Sequence, residues 1–493
     1  MNTATNTSLP ADCLDMTLVQ AAQAIRDKSI SSVELTRAAL DRAHALQARF
    51  KAFIRIDEEQ AMAAAQRCDA LSSGAELRGP LHGVPLAHKD MFYRQGEVST
   101  CGSGLRKNWV APVTATVLER LDRAGAIQIG TLHMTEFAYG PSGQNATLGD
   151  ALNPWNPDYI PGGSSSGPGI ATVTRTVFGA LGSDTAGSVR MPAHLCGVTG
   201  MKTTHGLIPV NGCMPLSASL DAIGPLTRTV QDNALMLAVM AGMDDLLPAH
   251  THAYIRAAEQ GTSGDLTGLR IGLPVGYFDR QLNAEVAQRW NEMARQLASL
   301  GAQVVPVAMP DLDAINAAGV LLTWGDVVSL HGEQMRERHH EYSAQTRGRL
   351  QSALAINERD YLNAQRYRGI ALREFCASVF SRCDALLAPM LSFPAPRLSQ
   401  VDVTGGAAMA NILEEMTRLV RPANMLGLPA LALPAGFTYN GMPCGMQLLA
   451  RPFGESLLYR IGAAFQSASH WHTMAPPLRH AEPATATAAV TSA

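Results

Sequence analysis

The stretch SSSGPGIATVTRTVFGALGSD, residues 164–184, holds two elements end to end. Its first part, SSSGPGIATVTRT (164–176), reads as the opening of a helix, and VFGALGSD (177–184) as an apolar strand. The same helix-then-strand order stands upstream, where TATVLERLDRAGA (114–126) is followed by IQIGTL (127–132). GVPLAHKD (83–90) adds another strand and VQDNALMLAVMAG (230–242) another helix. This alternation predicts an α/β fold: a central twisted mixed sheet, mostly parallel in its core, with helices on both faces.

Working outward, Ser31 and Glu34 form a capping-box pattern, and Leu35, Ala39, Ala43 and Leu46 follow at helical spacing. Residues 61–72 read as an Ala-rich helix and 244–264 as a linker or loop. Beyond it come strand LRIGLPVG, helix AEVAQRWNEMARQLASLG closed by Gly301, and strand AQVVPVAMP. Residues 311–380 read as a helical cap or flank that shapes a pocket. DALLAPM (384–390), LPALALPAGF (428–437) and CGMQLLARP (444–452) return as strands before a last helix, GESLLYRIGAAFQSA. The expected organisation is a flexible N-terminus (1–14), one domain (15–478) and a disordered tail (479–493).

The 493 residues are 46% hydrophobic and 16% charged, with a net charge of −3 and no basic block. That balance argues against nucleic acid or an anionic membrane as partner, and 5% aromatics weakens a base-stacking role. None of the eight cysteines forms a C-x-x-C pair, so they read as thiols in a reducing compartment. The start MNTATNTSLPADC lacks the basic and apolar regions of a signal peptide, and no apolar run reaches the length of a membrane span. A cytoplasmic protein is expected.

The run YIPGGSSSGPG (159–169) has three readings. A Gly/Ser cluster is commonly a turn. A helix N-terminus also favours phosphate, but the G-x-x-x-x-G-K-[ST] pattern is absent. Gly163–Gly167 matches G-x-S-x-G, which would make Ser165 a nucleophile. That elbow needs a strand before it, and the proline-rich NPWNPDYIP is a poor one.

Partners stand elsewhere. Lys89 closes the apolar strand in HGVPLAHKD (82–90), and Ser188 lies in the turn of GSDTAGSVRMPA (182–193). With HMTEFAYG (133–140), NPWNPDYIPGGSSSG (153–167), CGVTGMKTTHGLIP (196–209), SLDAIGPLTRTVQD (219–232) and LGLPALALPAGF (426–437), these motifs resemble the amidase signature family, the Ser–cis-Ser–Lys hydrolases. Several separated motifs in one order carry the resemblance, which spans most of the chain.

The resemblance implies the amidase signature fold, with Ser188 as nucleophile, Ser164 as bridging serine after a cis Gly163–Ser164 peptide, and Lys89 as base. Lys89 must then be neutral, which burial favours; without the two serine motifs it would read instead as a partly buried salt-bridge partner of Asp90 or another acid. Backbone N–H groups of Thr185, Ala186, Gly187 and Ser188 would form the oxyanion hole. The commoner family pattern has glycine where Ala186 stands. Asp184 and Arg190 would pair to hold the turn. Met91, Phe92, Tyr139 and Trp324 are the candidate pocket lining. No cofactor and no metal is implied: H-E-x-x-H is absent, and His339 and His340 read as a solvated helical face.

The leading expectation is an amidohydrolase that cleaves a small-molecule amide, anilide or carbamate with water, free of nucleic acid and membrane, with a homodimer left open. The alternative is the glutaminase component (the A chain) of a tRNA-dependent amidotransferase, which releases ammonia from glutamine beside a second protein. Arg421, before Pro-Ala-Asn, stands where that component's pattern suggests an acid, which favours the free-standing hydrolase.

Overall fold

Ser31 accepts a hydrogen bond from the Glu34 amide while Glu34 reaches back to the Ser31 amide, and this box opens the helix Ser32–Phe50. Its buried face is Leu35, Thr36, Ala39, Leu40 and Ala43, close to the stripe read from the sequence. The computed structural model describes residues 12–74, 76–242, 248–401 and 406–478. The tail from 479 and most of the stretch 1–14 therefore lie outside the described residues. Asp12 caps a short turn and Leu14 is buried in the core, so any loose N-terminus ends before them.

Eleven strands form one sheet: β1 (Phe53–Ile56), β2 (Pro85–Lys89), β3 (Ile127–Leu132), β4 (Gly179–Asp184), β5 (Thr199–Lys202), β6 (Ala222–Thr227), β7 (Arg270–Val275), β8 (Gln303–Ala308), β9 (Ala385–Pro389), β10 (Ala430–Phe437) and β11 (Pro443–Leu449). Their spatial order is β1-β3-β2-β4-β6-β5-β10-β11-β9-β7-β8. The mixed α/β sheet is as expected, but the parallel pairs are not at its centre. They lie on either side, as β3-β2-β4 and β9-β7-β8. Between them runs an antiparallel middle, β4-β6-β5-β10-β11-β9. Strands β5 and β6 cause the difference. Gly200, Gly224 and Pro225 dilute their β signal, yet each strand is fully buried and paired on both edges.

The reading of 244–264 as a linker is corrected over Pro248–Gly261, which is helical. Its polar composition hides one apolar stripe: Tyr254, Ala257 and Ala258 are buried, with Tyr254 edge-on to Tyr459 at 6.0 Å. Residues 312–378 are helical as read, in segments Leu312–Glu337, Ala344–Ala353 and Glu358–Ser378. Among the described residues no helix is long and apolar enough to cross a membrane.

Candidate active site

Lys89 is the last residue of β2 and Asp184 the last of β4, and the two strands pair in parallel. Their carboxyl ends therefore open at the same edge of the sheet, where α/β folds gather ligands. Lys89 is fully buried there. Its Nζ donates to Ser164 Oγ at 2.7 Å and to Ser183 Oγ at 2.9 Å. It has no ion pair with Asp90, whose Oδ2 accepts from the amide and hydroxyl of Thr100. Burial drives the Lys89 pKa down to about 7, against the opposing pull of Asp221 and Asp184.

The three serines of the run diverge. Ser164 faces Lys89. Ser165 is sealed from solvent, and its hydroxyl contacts both Ser183 O and Ser183 N at 3.3 Å, bracing β4. Ser166 Oγ meets His133 Nδ1 at 3.0 Å. The elbow reading of Ser165 therefore has no support: no strand among the described residues leads into it, and its hydroxyl does not reach the cavity that Ser188 lines. The Gly163–Ser164 peptide is cis. A side chain at Gly163 would press on Gly140 O and Gly143 N at 2.8 Å, so only glycine fits.

Ser188 lies in the turn after β4, and the Ser165 amide donates to its carbonyl at 3.3 Å. Its own hydroxyl has no hydrogen-bond partner among the described residues and borders a cavity of about 370 Å³. That volume suits a small-molecule site. The turn is held by a buried network. Asp184 and Arg190 are both fully buried and paired at 3.0 Å. Asp184 also accepts from the amides of Gly187 at 2.8 Å and Val189 at 3.2 Å. Burial opposes its ionisation, but Arg190, Lys202 and Asn424 hold the carboxyl well below the usual range. Arg190 further donates to Gln447 and Asn424, which ties the turn to β11.

One part of the expected oxyanion set needs correction. The Gly187 amide is taken by Asp184, whereas those of Thr185, Ala186 and Ser188 have no acceptor among the described residues. Gly187 is in the left-handed region, at φ 107°, and Ala186 is not. The departure from glycine at 186 is thus free of backbone strain, and Ala186 borders the cavity.

Tyr139 and Trp324 line that cavity, as read; Met91 and Phe92 do not. Both are buried at 2% exposure, because the chain turns back after β2 and pairs with the Cys213–Met214 segment. Sequence reasoning missed the rest of this lining, which includes Arg349, Ser352, Asn411, Glu414, Thr417 and Arg421. Arg421 is 8% exposed and is matched by Glu414 at 3.0 Å, Asn316 at 2.7 Å and Thr417. Arg349 is different. It is 6% exposed, donates to Tyr139 O, and has no carboxylate partner among the described residues; its Nε is unpaired. Burial lowers its pKa only to about 10, so it stays cationic at neutral pH. These groups come from three helices, Ala344–Ala353, Gly406–Thr417 and Arg421–Met425, and no local motif announces that.

A buried lysine thus meets two serine hydroxyls at the strand ends of an α/β sheet. The chain belongs to the amidase family, whose model matches residues 34–459. It is 33% identical over 486 residues to the A chain of the glutamyl-tRNA(Gln) amidotransferase from Geobacter metallireducens, covering 94% of this chain and 99% of that protein. The same protein of Pseudomonas aeruginosa is 35% identical over 485 residues, with the same coverage. Among solved structures, the fold matches a chain from a vestigial protein complex connected with the origins of an s-triazine catabolic enzyme. There the TM-score is 0.84 at 31% identity, covering 92% of this chain and 99% of that one. It also matches the A chain of the glutamyl-tRNA(Gln) amidotransferase from Thermotoga maritima, with TM-score 0.77, 28% identity and coverage of 95% and 99%.

Proposed function

We propose that this chain hydrolyses a primary amide through an acyl-enzyme on Ser188, and that its substrate carries a carboxylate. The observation that carries the reading is a single arrangement. Lys89, with a pKa near 7, contacts Ser164, while Ser188 and the unmatched cation Arg349 border one cavity. In the proposed route, Ser188 gives its proton through Ser164 to the neutral Lys89 as it attacks the carbonyl. The Thr185, Ala186 and Ser188 amides receive the oxyanion. Lys89 then returns the proton through Ser164 to the leaving nitrogen, and water releases the acid.

Glutamine is a substrate of this chemistry, and the named relatives favour it: the chain would release ammonia as the glutaminase component of an amidotransferase, beside a second protein. The second reading is a free-standing hydrolase of small amides or carbamates. It is favoured by Arg421 before Pro-Ala-Asn, and by the likeness to an amidase of known structure, with TM-score 0.81 at 29% identity. We place the protein in the cytoplasm, in keeping with eight free cysteines, and treat 15–478 as one domain with 311–380 over the pocket.

Two measurements test this. A fluorophosphonate probe should label Ser188 in the wild type and not in Ser188→Ala; labelling at Ser165 instead refutes the assignment. Ammonia release should then be compared for glutamine and for uncharged aliphatic and aryl amides. Turnover of the uncharged amides with none of glutamine, even with a co-purified partner, selects the hydrolase.

A further inference from the structure

The turn that carries Ser188 is connected to the helices over the pocket by a buried polar strap. Thr185 Oγ1 donates to Asp221 Oδ1. The other oxygen of Asp221 accepts from the amides of Leu216 at 2.9 Å and Ser217 at 3.1 Å. Ser217 Oγ in turn donates to Asp326 Oδ2 at 2.5 Å, and the Ser219 amide donates to the same oxygen at 3.0 Å. Asp326 belongs to the helix Leu312–Glu337, and Tyr361 OH of the helix Glu358–Ser378 donates to its second oxygen at 2.7 Å. Gln365 and Arg368 of that helix also hold Ser219, at 2.8 and 2.5 Å. Asp221 and Asp326 are each 8% exposed, and neither has a cationic partner within ion-pair distance among the described residues.

This is an unusual use of buried carboxylates. Two of them serve to orient a six-residue loop, and satisfying them with amide and hydroxyl donors makes the loop rigid. Leu216, at one end of the loop, lines the cavity, as do Thr323 and Trp324, which precede Asp326 on its helix. The strap thus begins beside pocket-lining residues and ends at Thr185, whose amide is one of the three free donors of the turn.

We propose that Asp221 and Asp326 are positioning residues, which hold the 216–221 loop so that the pocket helices set the orientation of the Thr185 amide toward the reacting carbonyl. The inference rests on the assignment of Ser188 as nucleophile. Neither carboxylate touches substrate; both act through Thr185. The hydroxyl of Thr185 is the link, because its removal uncouples the turn from Asp221 and leaves the loop's own bonds to Asp221 in place.

The test uses the full chain and a fluorophosphonate probe, whose reaction also builds charge on an oxygen in the oxyanion site. Thr185→Val should lower the maximal rate of Ser188 labelling about tenfold, less than the roughly 10²–10³ for deleting an oxyanion donor because the amide is displaced rather than lost. Its half-saturating probe concentration should stay within about twofold, and Thr185→Ser should restore the rate. Tyr361→Phe, which removes one hydroxyl that does not line the cavity, should slow labelling in the wild-type background and have no further effect beside Thr185→Val. Wild-type labelling rates in Thr185→Val overturn the proposal. So does a Tyr361→Phe effect that multiplies with that of Thr185→Val, and so does failure of Thr185→Ser to restore the rate. An unlabelled Ser188 in folded wild type overturns this proposal together with the nucleophile assignment, whereas the other failures leave that assignment standing.

Discussion

Lys89 and Ser183 are joined by a hydrogen bond of 2.9 Å across the adjacent ends of β2 and β4. The proposed base therefore has two hydroxyl partners, and only one of them, Ser164, is on the proposed proton path. Ser183 is a second acceptor for the amine and limits its rotation.

Replacing Ser183 with alanine should lower kcat about tenfold, since one hydrogen bond of about 1.4 kcal/mol is lost from the group that moves the proton. Threonine at 183 keeps the hydroxyl and should retain most of the rate. The check is steady-state kinetics on any turned-over amide; an unchanged kcat in Ser183→Ala removes this role.

The lowered pKa of Lys89 also makes a stability statement. Its folded value, about 7, lies below the unfolded value of 10.5. Between those limits the unfolded chain holds more protons, so this group's contribution to stability rises with pH across that window and is constant below it. Lys89→Met removes the penalty. Its stability relative to wild type should be most favourable at pH 7 and should decline toward pH 10, by about 1.4 kcal/mol per pH unit. Urea unfolding of both proteins at several pH values measures the slope. The same ionisation predicts wild-type turnover that rises with pH through an apparent pKa near 7.

Asp184 and Arg190, both sealed from solvent, allow a sharper stability prediction. Asp184→Asn leaves a guanidinium buried without its countercharge and should cost about 3–5 kcal/mol. Asparagine also keeps only one of the two oxygens that accept from the Gly187 amide on one side and from the Val189 and Arg190 amides on the other, so one of those sets then faces an NH2 donor. The variant should therefore unfold at lower urea and lose Ser188 labelling, and a normal midpoint would show that Arg190 finds other acceptors.

Much of this architecture was legible in the chain. The Ser31 box, the apolar strand ending in Lys89 and the glycine-flanked turn around Ser188 each announce themselves within a short local stretch, because capping, burial and tight turns are local demands. The central strands β5 and β6 were not, since Gly224 and Pro225 are tolerated there by pairing on both edges rather than by their own propensity. The Arg349 and Glu414 wall was hidden for a different reason: it exists only after two helices far apart in sequence converge. Met91 and Phe92 show the reverse error, in which nearness to Lys89 in sequence did not survive the turn after β2.

That error can be tested directly. Trp324 lines the cavity and Met91 does not. Trp324→Ala should change KM at least severalfold while the unfolding midpoint moves little. Met91→Ala should cost about 2–5 kcal/mol of stability and leave KM near wild type. The reverse pattern would put the pocket on the other side of β2.

Arg349 discriminates between the two substrate readings. It is a cation at neutral pH, nearly buried, with an unpaired Nε and only a main-chain acceptor. Keeping such a group charged in a pocket is costly unless an anion arrives, and a substrate carboxylate would supply one through charge-assisted hydrogen bonds. Arg349→Gln should then raise KM for a carboxylate-bearing amide such as glutamine about 10- to 100-fold. This corresponds to the roughly 1.5–3 kcal/mol of a hydrogen bond to a charged group. For an uncharged aryl or aliphatic amide the same variant should leave KM unchanged or lower it, because the competing cation is gone. Lysine at 349 keeps the charge but not the planar fork, and should fall between the two for the anionic substrate. Equal loss for charged and uncharged amides would mean that Arg349 only holds the Tyr139 carbonyl. The pocket would then have no built-in demand for an acid group, and the free-standing hydrolase would become the better account.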